Sequence, residues 1–142
     1  MSATFDTEKM QIALSQGLVT GTFQPALHDH HETLNVSNAL LEKRDNEYWL
    51  HGYEFLQVSP EIKAQGVRFH LNGEGAVTEA QVLLNDWFHN AEIEQLQRII
   101  WEPEQLRVQI LFNLSFEIGS KKYTLRDGRI DLSSSSLLLT DM

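Results

Sequence analysis

The sequence predicts an α+β domain, in which a mainly antiparallel, curved sheet carries a short N-terminal helix and a central helix pair. Apolar side chains alternate with mostly polar ones over residues 106–118, which is the pattern of a half-buried strand. Over residues 78–102 the apolar spacing follows the period of a helix instead. Turn-forming pairs after residue 118 then favour an antiparallel meander over residues 106–132.

Length and composition fit a single globular domain. The chain has 142 residues, enough to bury a sizeable core, and 42% of them are hydrophobic. We expect one domain over residues 1–142, whose last part, 133–142, is a serine-rich spacer and an apolar tail. No apolar run approaches the ~18 residues of a membrane helix, and no signal-peptide pattern opens the chain, so we expect a soluble, cytoplasmic protein.

Charge and cysteine content narrow the function classes. The formal net charge of −9 disfavours binding to nucleic acid or to anionic membranes, while a basic protein would be attracted. The sequence contains no cysteine, which excludes disulfides, thiolate zinc sites and a thiol nucleophile.

The N-terminal region predicts a short helix followed by a strand. Residues 5–17 form an amphipathic pattern in which Asp6 is a suitable N-cap and Gly17 a suitable left-handed stop. The β-branched and aromatic residues over 18–23 then predict a short strand.

A hairpin is predicted next. Residues 33–41 and 47–58 are rich in β-forming side chains, and the polar run 43–46 between them is typical of a turn. A helix over residues 34–43 is the alternative interpretation.

The central region predicts helices around one short strand. Residues 59–66 resemble a short helix, because a serine N-cap is followed by proline at the first helical position. Residues 67–71 alternate as a strand. Thr78 and Gln81 then match a capping box, and the apolar residues behind them keep helical spacing with a change of phase after residue 90, so two helices ending before Pro103 are expected.

The C-terminal meander has a predicted register. Gly119-Ser120 suits a two-residue hairpin turn, and Asp127-Gly128 suits a second one. The two turns predict these cross-strand pairs: Ile118 with Lys121, Phe116 with Tyr123, Leu114 with Leu125, Leu125 with Ile130, and Tyr123 with Leu132. Both turns place the apolar residues on one face, so the even-numbered residues from Leu106 to Phe116 should be buried.

A cluster of histidines and carboxylates over residues 27–32 offers candidate metal ligands. Imidazole and carboxylate donors suit a divalent metal such as zinc. In an extended backbone His28 and His30 point to the same side, so a site would need a third ligand from His51, His70 or Glu54. A solvated polar loop is the alternative, since no known ligand spacing is present.

The strand over residues 47–58 offers a candidate ligand site. Trp49, His51, Tyr53 and Phe55 occupy one face of it, and the other face is also apolar. This pattern indicates either burial on both sides or one face that lines a cup for a small, flat ligand.

The long strand offers a candidate protein-binding face. Arg107, Gln109, Leu111, Asn113 and Ser115 lie opposite its buried residues and are mostly polar but uncharged, as the surfaces that bind other proteins often are. Because no nucleophile motif is present, a non-enzymatic interaction protein is the preferred hypothesis. Its partner would be another protein, for which a basic one is a candidate, or a second copy of the chain. The ligand cup or a modest enzyme, and the metal-dependent protein, are the alternatives.

Overall fold

A computed structural model describes residues 17–24, 33–58, 61–84, 86–132 and 138–140. The strands are β1 (Gly17–Gln24), β2 (Thr33–Val36), β3 (Leu40–Arg44), β4 (Glu47–Val58), β5 (Glu61–Leu71), β6 (Val77–Leu84), β7 (Trp87–Glu102), β8 (Arg107–Ile118), β9 (Lys121–Leu132) and β10 (Leu138–Thr140). A single turn of 3₁₀ helix, Pro103–Gln105, connects β7 to β8. These strands form one sheet in the order β10-β3-β4-β5-β6-β7-β8-β9-β1-β2. Every pairing is antiparallel except that of β10 with β3.

The sheet curls so that strands far apart in its order meet across a shared core. Val19 of β1 packs against the backbone of β4 at Gly52, where a Cβ atom would lie 2.5 Å from the Val19 Cγ2 atom. Phe69 of β5 and Phe112 of β8 meet edge to face, with ring centroids 4.9 Å apart. We call the face that carries these residues the inner face. Its buried apolar side chains form one cluster to which β1 to β6, β8 and β9 all contribute, so a curled single sheet encloses its own hydrophobic core.

Long strand β7 joins the two parts of the sheet. Its first residues, 87–91, pair with β6, whereas residues 92–102 pair with β8. Two β-bulges, between Ile93 and Gln95 and between Arg98 and Ile100, bend the second half. The bends carry Trp101 to Tyr48 of β4, where the two rings meet edge to face at 5.1 Å. The curl therefore depends on a strand that changes partner along its length.

The first C-terminal hairpin is confirmed with its register. Ile118 pairs with Lys121, Phe116 with Tyr123 and Leu114 with Leu125. The even-numbered residues Val108 to Phe116 are buried on the inner face, and Leu106 is half-buried. Strands β1 and β4 also match the predicted positions, and β10 is a strand that joins the edge of the sheet at β3.

The α+β prediction is wrong, because the predicted central helix pair over residues 78–102 consists of strands β6 and β7. No α-helix occurs in the described part of the chain. The helical spacing arose because β6 is buried on both faces: Ala80, Val82 and Leu84 lie in the inner core, while Leu83 lies in a second cluster on the outer face. Consecutive apolar residues in a strand with two buried faces mimic the pattern of a buried helix.

The second predicted hairpin, at Asp127-Gly128, is also wrong. Strand β9 continues through both residues, and Asp127, with a φ of 54°, forms a β-bulge opposite Phe112. Val108 pairs with Leu132, the residue that the predicted turn would have placed beside Tyr123. The Phe112 ring packs directly on Gly128, where a Cβ atom would lie 2.2 Å from the ring. The glycine is therefore needed for close packing and not for a chain reversal.

Three smaller predictions are corrected, and two others concern residues outside the described part of the chain. The single strand predicted over 33–41 is divided into β2 and β3, and the alternative helix over 34–43 is wrong. The helix predicted over 59–66 is replaced by β5. The helix predicted over residues 5–17 lies outside the described residues, except for Gly17, which belongs to β1. The predicted spacer, over residues 133–137, also lies outside them. Within the described residues, no helix is long and apolar enough to cross a membrane.

Candidate functional site

The outer faces of β7, β8, β9 and β1 form a continuous surface of mostly uncharged polar side chains. Strand pairing arranges them in rows across the four strands. The rows are Ile100, Gln109, Asp131 and Leu18; then Gln97, Leu111, Arg129 and Thr20; then Gln95 and Asn113; then Glu92, Ser115, Thr124 and Gln24. We call this surface the groove face. It contains four of the five residues that the sequence predicts for protein binding, and Arg107 lies at its end, opposite Glu102.

Polar contacts between strands hold these side chains in place. Asn113 Nδ2 donates to Gln95 Oε1 at 2.9 Å, and Asn113 Oδ1 accepts from the backbone N–H of Asp127 in the bulge at 2.8 Å. Ser115 is buried and donates to Glu94 at 2.5 Å. The Ser115 hydroxyl therefore positions its neighbour and is not itself open for contact with a partner.

Two pairs of oppositely charged side chains lie on this face. Arg107 Nη1 lies 3.2 Å from Glu102 Oε1, and Arg129 Nη2 lies 3.0 Å from Asp131 Oδ2. Gln109 also donates to the Asp131 carboxylate, at 3.3 Å. Arg107 and Arg129 are thus each neutralised by a neighbouring carboxylate, while the chain as a whole carries a net charge of −9.

A groove of about 380 Å³ lies at the centre of the groove face. Its lining consists of Thr20, Gln95, Gln97, Leu111, Phe112, Asn113, Asp127, Gly128 and Arg129. The bulge in β9 shapes it, because Asp127 and Gly128 leave the regular pleat where the register shifts. The amide side chains can both donate and accept hydrogen bonds, and half-buried Leu111 supplies apolar contact area between them. This arrangement can bind a polar, uncharged segment.

The predicted ligand-binding residues occupy a different part of the outer face, on β4. Tyr53 is only 2% exposed and belongs to the second apolar cluster, with Leu40, Ala64, Leu83 and Phe88. Its hydroxyl lies 2.7 Å from His51 Nδ1. Burial raises the pKa of Tyr53 far above its ordinary value, so the phenol stays protonated. Trp49 and His51 are half-buried, whereas Phe55 at the end of this row is 43% exposed.

This part of the outer face also contains polar residues that were not predicted from the sequence as site residues. The pairing of β4, β5, β6 and β7 places His51, Arg68, Gln81 and Asn90 in one row. In the neighbouring row the rings of Trp49 and His70 stack at 4.2 Å, and His70 Nε2 lies 2.9 Å from Glu47. Arg68 alternates with Val67 and Phe69 in the sequence, which could have assigned it to the outer face. A correct pairing of β4 with β5 would then have placed Arg68 opposite His51.

A buried polar group lies on the inner face near edge strand β2. Gln65 is 3% exposed and donates to Glu54 Oε1 at 3.0 Å. The backbone N–H of Asn35 also donates to this carboxylate. Loss of solvation outweighs these two bonds and raises the pKa of Glu54 above its ordinary value. Glu54 therefore satisfies one backbone N–H of β2, a strand at the edge of the sheet.

The predicted metal ligands His28 and His30 lie outside the described residues. Within the described part, no group of three histidine, aspartate or glutamate side chains is placed to hold a metal ion. Of the candidate third ligands, His51, His70 and Glu54 each lie in the separate contacts given above.

Comparison with known proteins gives no relative. No protein-family model, curated protein or solved structure matches the chain significantly.

Proposed function

We propose that this chain is a non-enzymatic, cytoplasmic domain that binds another protein through the groove face. The observation that carries the proposal is the groove of about 380 Å³ at the centre of a surface whose polar side chains are mostly uncharged or locally paired. Interfaces lose charged residues at their centre and keep a polar rim. Only two of the nine residues that line the groove, Asp127 and Arg129, are charged, which supports the proposal.

Apolar groups around the groove support a protein as the ligand. Leu18 is 38% exposed and Ile99 is 48% exposed, and both lie near the Leu111 row. A protruding loop of a partner could place an aliphatic side chain on Leu111 and its backbone amides among Gln95, Gln97 and Asn113. Such a contact buries apolar area while every polar group keeps a hydrogen-bond partner.

Charge outside the groove favours a basic partner over a second copy. Exposed Glu92 and Glu94 lie at one end of the groove face and exposed Glu104 lies beyond its other end, and two copies that met through this face would bring these like charges together. A partner with basic residues around a neutral centre would instead be attracted, which raises the rate of association and makes it depend on salt.

Site-specific photocrosslinking tests the proposal. A photoreactive amino acid at Gln97, in the groove, should capture a discrete partner from the native cytoplasm, identified by mass spectrometry. The recombinant partner should then bind the purified chain, and Leu111→Arg should weaken binding by about 2 kcal/mol or more, since it fills the centre of the contact with an unpaired charge.

A matched control separates specific from nonspecific capture. The same photoreactive residue at Lys122, exposed on β9 near the hairpin turn, should not capture that partner. Equal capture from both positions, or a partner that binds Leu111→Arg as tightly as the original chain, would show that the groove is not the binding site. Light scattering of the chain alone gives a further test: a stable dimer disrupted by Leu111→Arg would contradict the basic partner and assign the face to self-association.

A further inference from the structure

Arg68 is held rigidly on the outer face between two aromatic rings. Its guanidinium carbon lies 3.7 Å from the centre of the Phe88 ring and 5.0 Å from that of Trp49. Nε and Nη2 both donate to Gln81 Oε1, the Nε bond being 2.8 Å long. Gln81 in turn donates to Asn90 Oδ1 at 2.9 Å. Stacking and hydrogen bonding together fix both the plane and the direction of the guanidinium group.

Among the described residues, Arg68 donates its hydrogen bonds to a neutral partner, Gln81. Arg44, Arg107 and Arg129 each lie within 3.2 Å of a carboxylate oxygen. Arg68 has no such ion pair with any described residue, although it is half-buried and those three are exposed. Placing a charge where it is partly desolvated is costly unless an opposite charge or a ligand meets it.

One donor of Arg68 remains available for a ligand. Among the contacts of the described residues, Arg68 Nη1 has no acceptor, since Arg68 binds Gln81 through its other two nitrogens. Arg68 and Trp49 are both half-buried, so solvent still reaches this part of the outer face. A planar cation beside an indole ring matches the shape and charge of an aromatic or conjugated carboxylate.

Other ionisable groups surround the cation at longer range. Glu42 and Glu79 favour the charged form of Arg68, while burial lowers its pKa. His51 lies opposite it on β4, and His70 lies in the neighbouring row against Glu47. The two glutamates stabilise the cation from a distance without occupying its donors.

We propose that Arg68 binds the oxyanion of a small organic acid through Nη1, beside Trp49. This site is separate from the groove face, because Arg68 lies on β5 and Trp49 on β4, neither of which belongs to that face. Its ligand class is a carboxylate, and a phosphate group is the other source of the same oxyanion chemistry. The proposed protein binding and this site can therefore fail independently.

Titration monitored by NMR tests the site with benzoate as the probe. The chain contains three tryptophans, and Trp49→Phe assigns the indole N–H signal of Trp49. Benzoate should shift this signal in a saturable manner, while the neutral isostere benzamide should bind at least tenfold more weakly. Arg68→Lys keeps the charge but loses the planar fork, and should weaken benzoate by about 10–100-fold, the range expected for one lost charge-assisted contact.

Control variants and a second anion make each result decisive. Arg126→Lys changes an exposed arginine on β9 and should leave benzoate affinity unchanged. Inorganic phosphate that displaces benzoate at lower concentration would keep the site and assign the oxyanion to phosphate. Absence of a saturable shift with either anion, or equal affinity in the original chain and a folded Arg68→Lys or Arg68→Gln variant, would overturn the proposal.

Discussion

The close contact between Phe112 and Gly128 predicts a strong and specific effect of a single methyl group. A Cβ atom at position 128 would lie 2.2 Å from Cε2 and 2.5 Å from Cδ2 of the Phe112 ring. The ring cannot easily turn away, because it is 3% exposed and meets Phe69 edge to face at 4.9 Å. Overpacking a well-filled core costs about 1–3 kcal/mol, and we expect Gly128→Ala to lie in the upper half of this range.

A double-mutant cycle separates this steric effect from other consequences of losing glycine. Phe112→Leu alone should cost about 1–2 kcal/mol through the cavity it leaves. In that background Gly128→Ala should cost about 1–2 kcal/mol less than in the original chain, because the methyl group then occupies space that the ring has vacated. Urea denaturation followed by circular dichroism gives the free energy of unfolding for all four proteins.

A second glycine provides the control. Gly119 has a φ of 64° and no atom within 4 Å of a Cβ, so Gly119→Ala should cost about 1–2 kcal/mol from backbone strain alone. That cost should be the same with Phe112 or Leu at position 112. If the effects of Gly128→Ala and Phe112→Leu are simply additive, the packing of the ring on the bulge is wrong.

Two ionisable groups predict how stability depends on pH. Tyr53 has a raised pKa in the folded chain, so unfolding releases its proton at a pH above the ordinary pKa of 10.0, and stability should fall as the pH rises there. In thermal denaturation between about pH 10 and 11.5, Tyr53→Phe should show a smaller fall in stability than the original chain. An equal fall in both proteins would contradict the burial of the phenol. Glu54 also has a raised pKa, so the folded chain holds its proton more tightly. Its contribution to stability should therefore decrease as the pH rises through and beyond 4.5, opposite to the usual carboxylate. Glu54→Gln should remove this decrease, and an equal or steeper decrease in the variant would refute the assignment.

Alternation in the sequence was sufficient to predict strands with one buried face. Strand β8 and its hairpin to β9 were predicted with the correct register because the pattern of apolar residues and the Gly119-Ser120 turn agree. The same reasoning failed for β6, where Leu83 faces the outer cluster while Val82 and Leu84 face the core. Burial on both faces removes the alternation on which a strand prediction depends.

Local turn chemistry was informative only where the neighbouring strands did not compete with it. Asp127-Gly128 has the residues of a tight hairpin turn, yet the pair forms a bulge within β9 because β1 and β8 hold both sides of that strand. A sequence does not show which strands flank a turn-forming pair, so the distinction between a reversal and a bulge was not accessible.

The candidate sites were predicted one strand at a time. Gln109, Asn113 and Trp49 were nominated because each lies on a strand whose faces could be assigned from alternation. Gln81 and the groove-lining Gln97 were not nominated, because β6 and β7 were expected to be helical. Arg68 lies in the strand predicted over residues 67–71 and was not nominated because the pairing of that strand with β4 was not predicted. A site built from several neighbouring strands needs their pairing, which no single segment contains.

The most direct test of the curled sheet is a disulfide between two strands that are distant in its order. A Cβ atom at Gly52 of β4 would lie 3.6 Å from the Val19 Cβ of β1, within the range for a disulfide, and the natural chain has no cysteine to compete. The same Cβ would lie 2.6 Å from the backbone oxygen of Asn38, so the backbone there has to shift and the folding of the double variant is checked first by circular dichroism. We predict that Val19→Cys/Gly52→Cys forms an intramolecular disulfide under mild oxidation, detected as the loss of two hydrogen atoms by mass spectrometry of the intact monomer. The pair Thr20→Cys/Glu79→Cys, on outward faces, should stay reduced. If the first pair remains reduced in the folded protein, or both pairs oxidise equally, β1 does not pack on β4 and the sheet does not close over a common core.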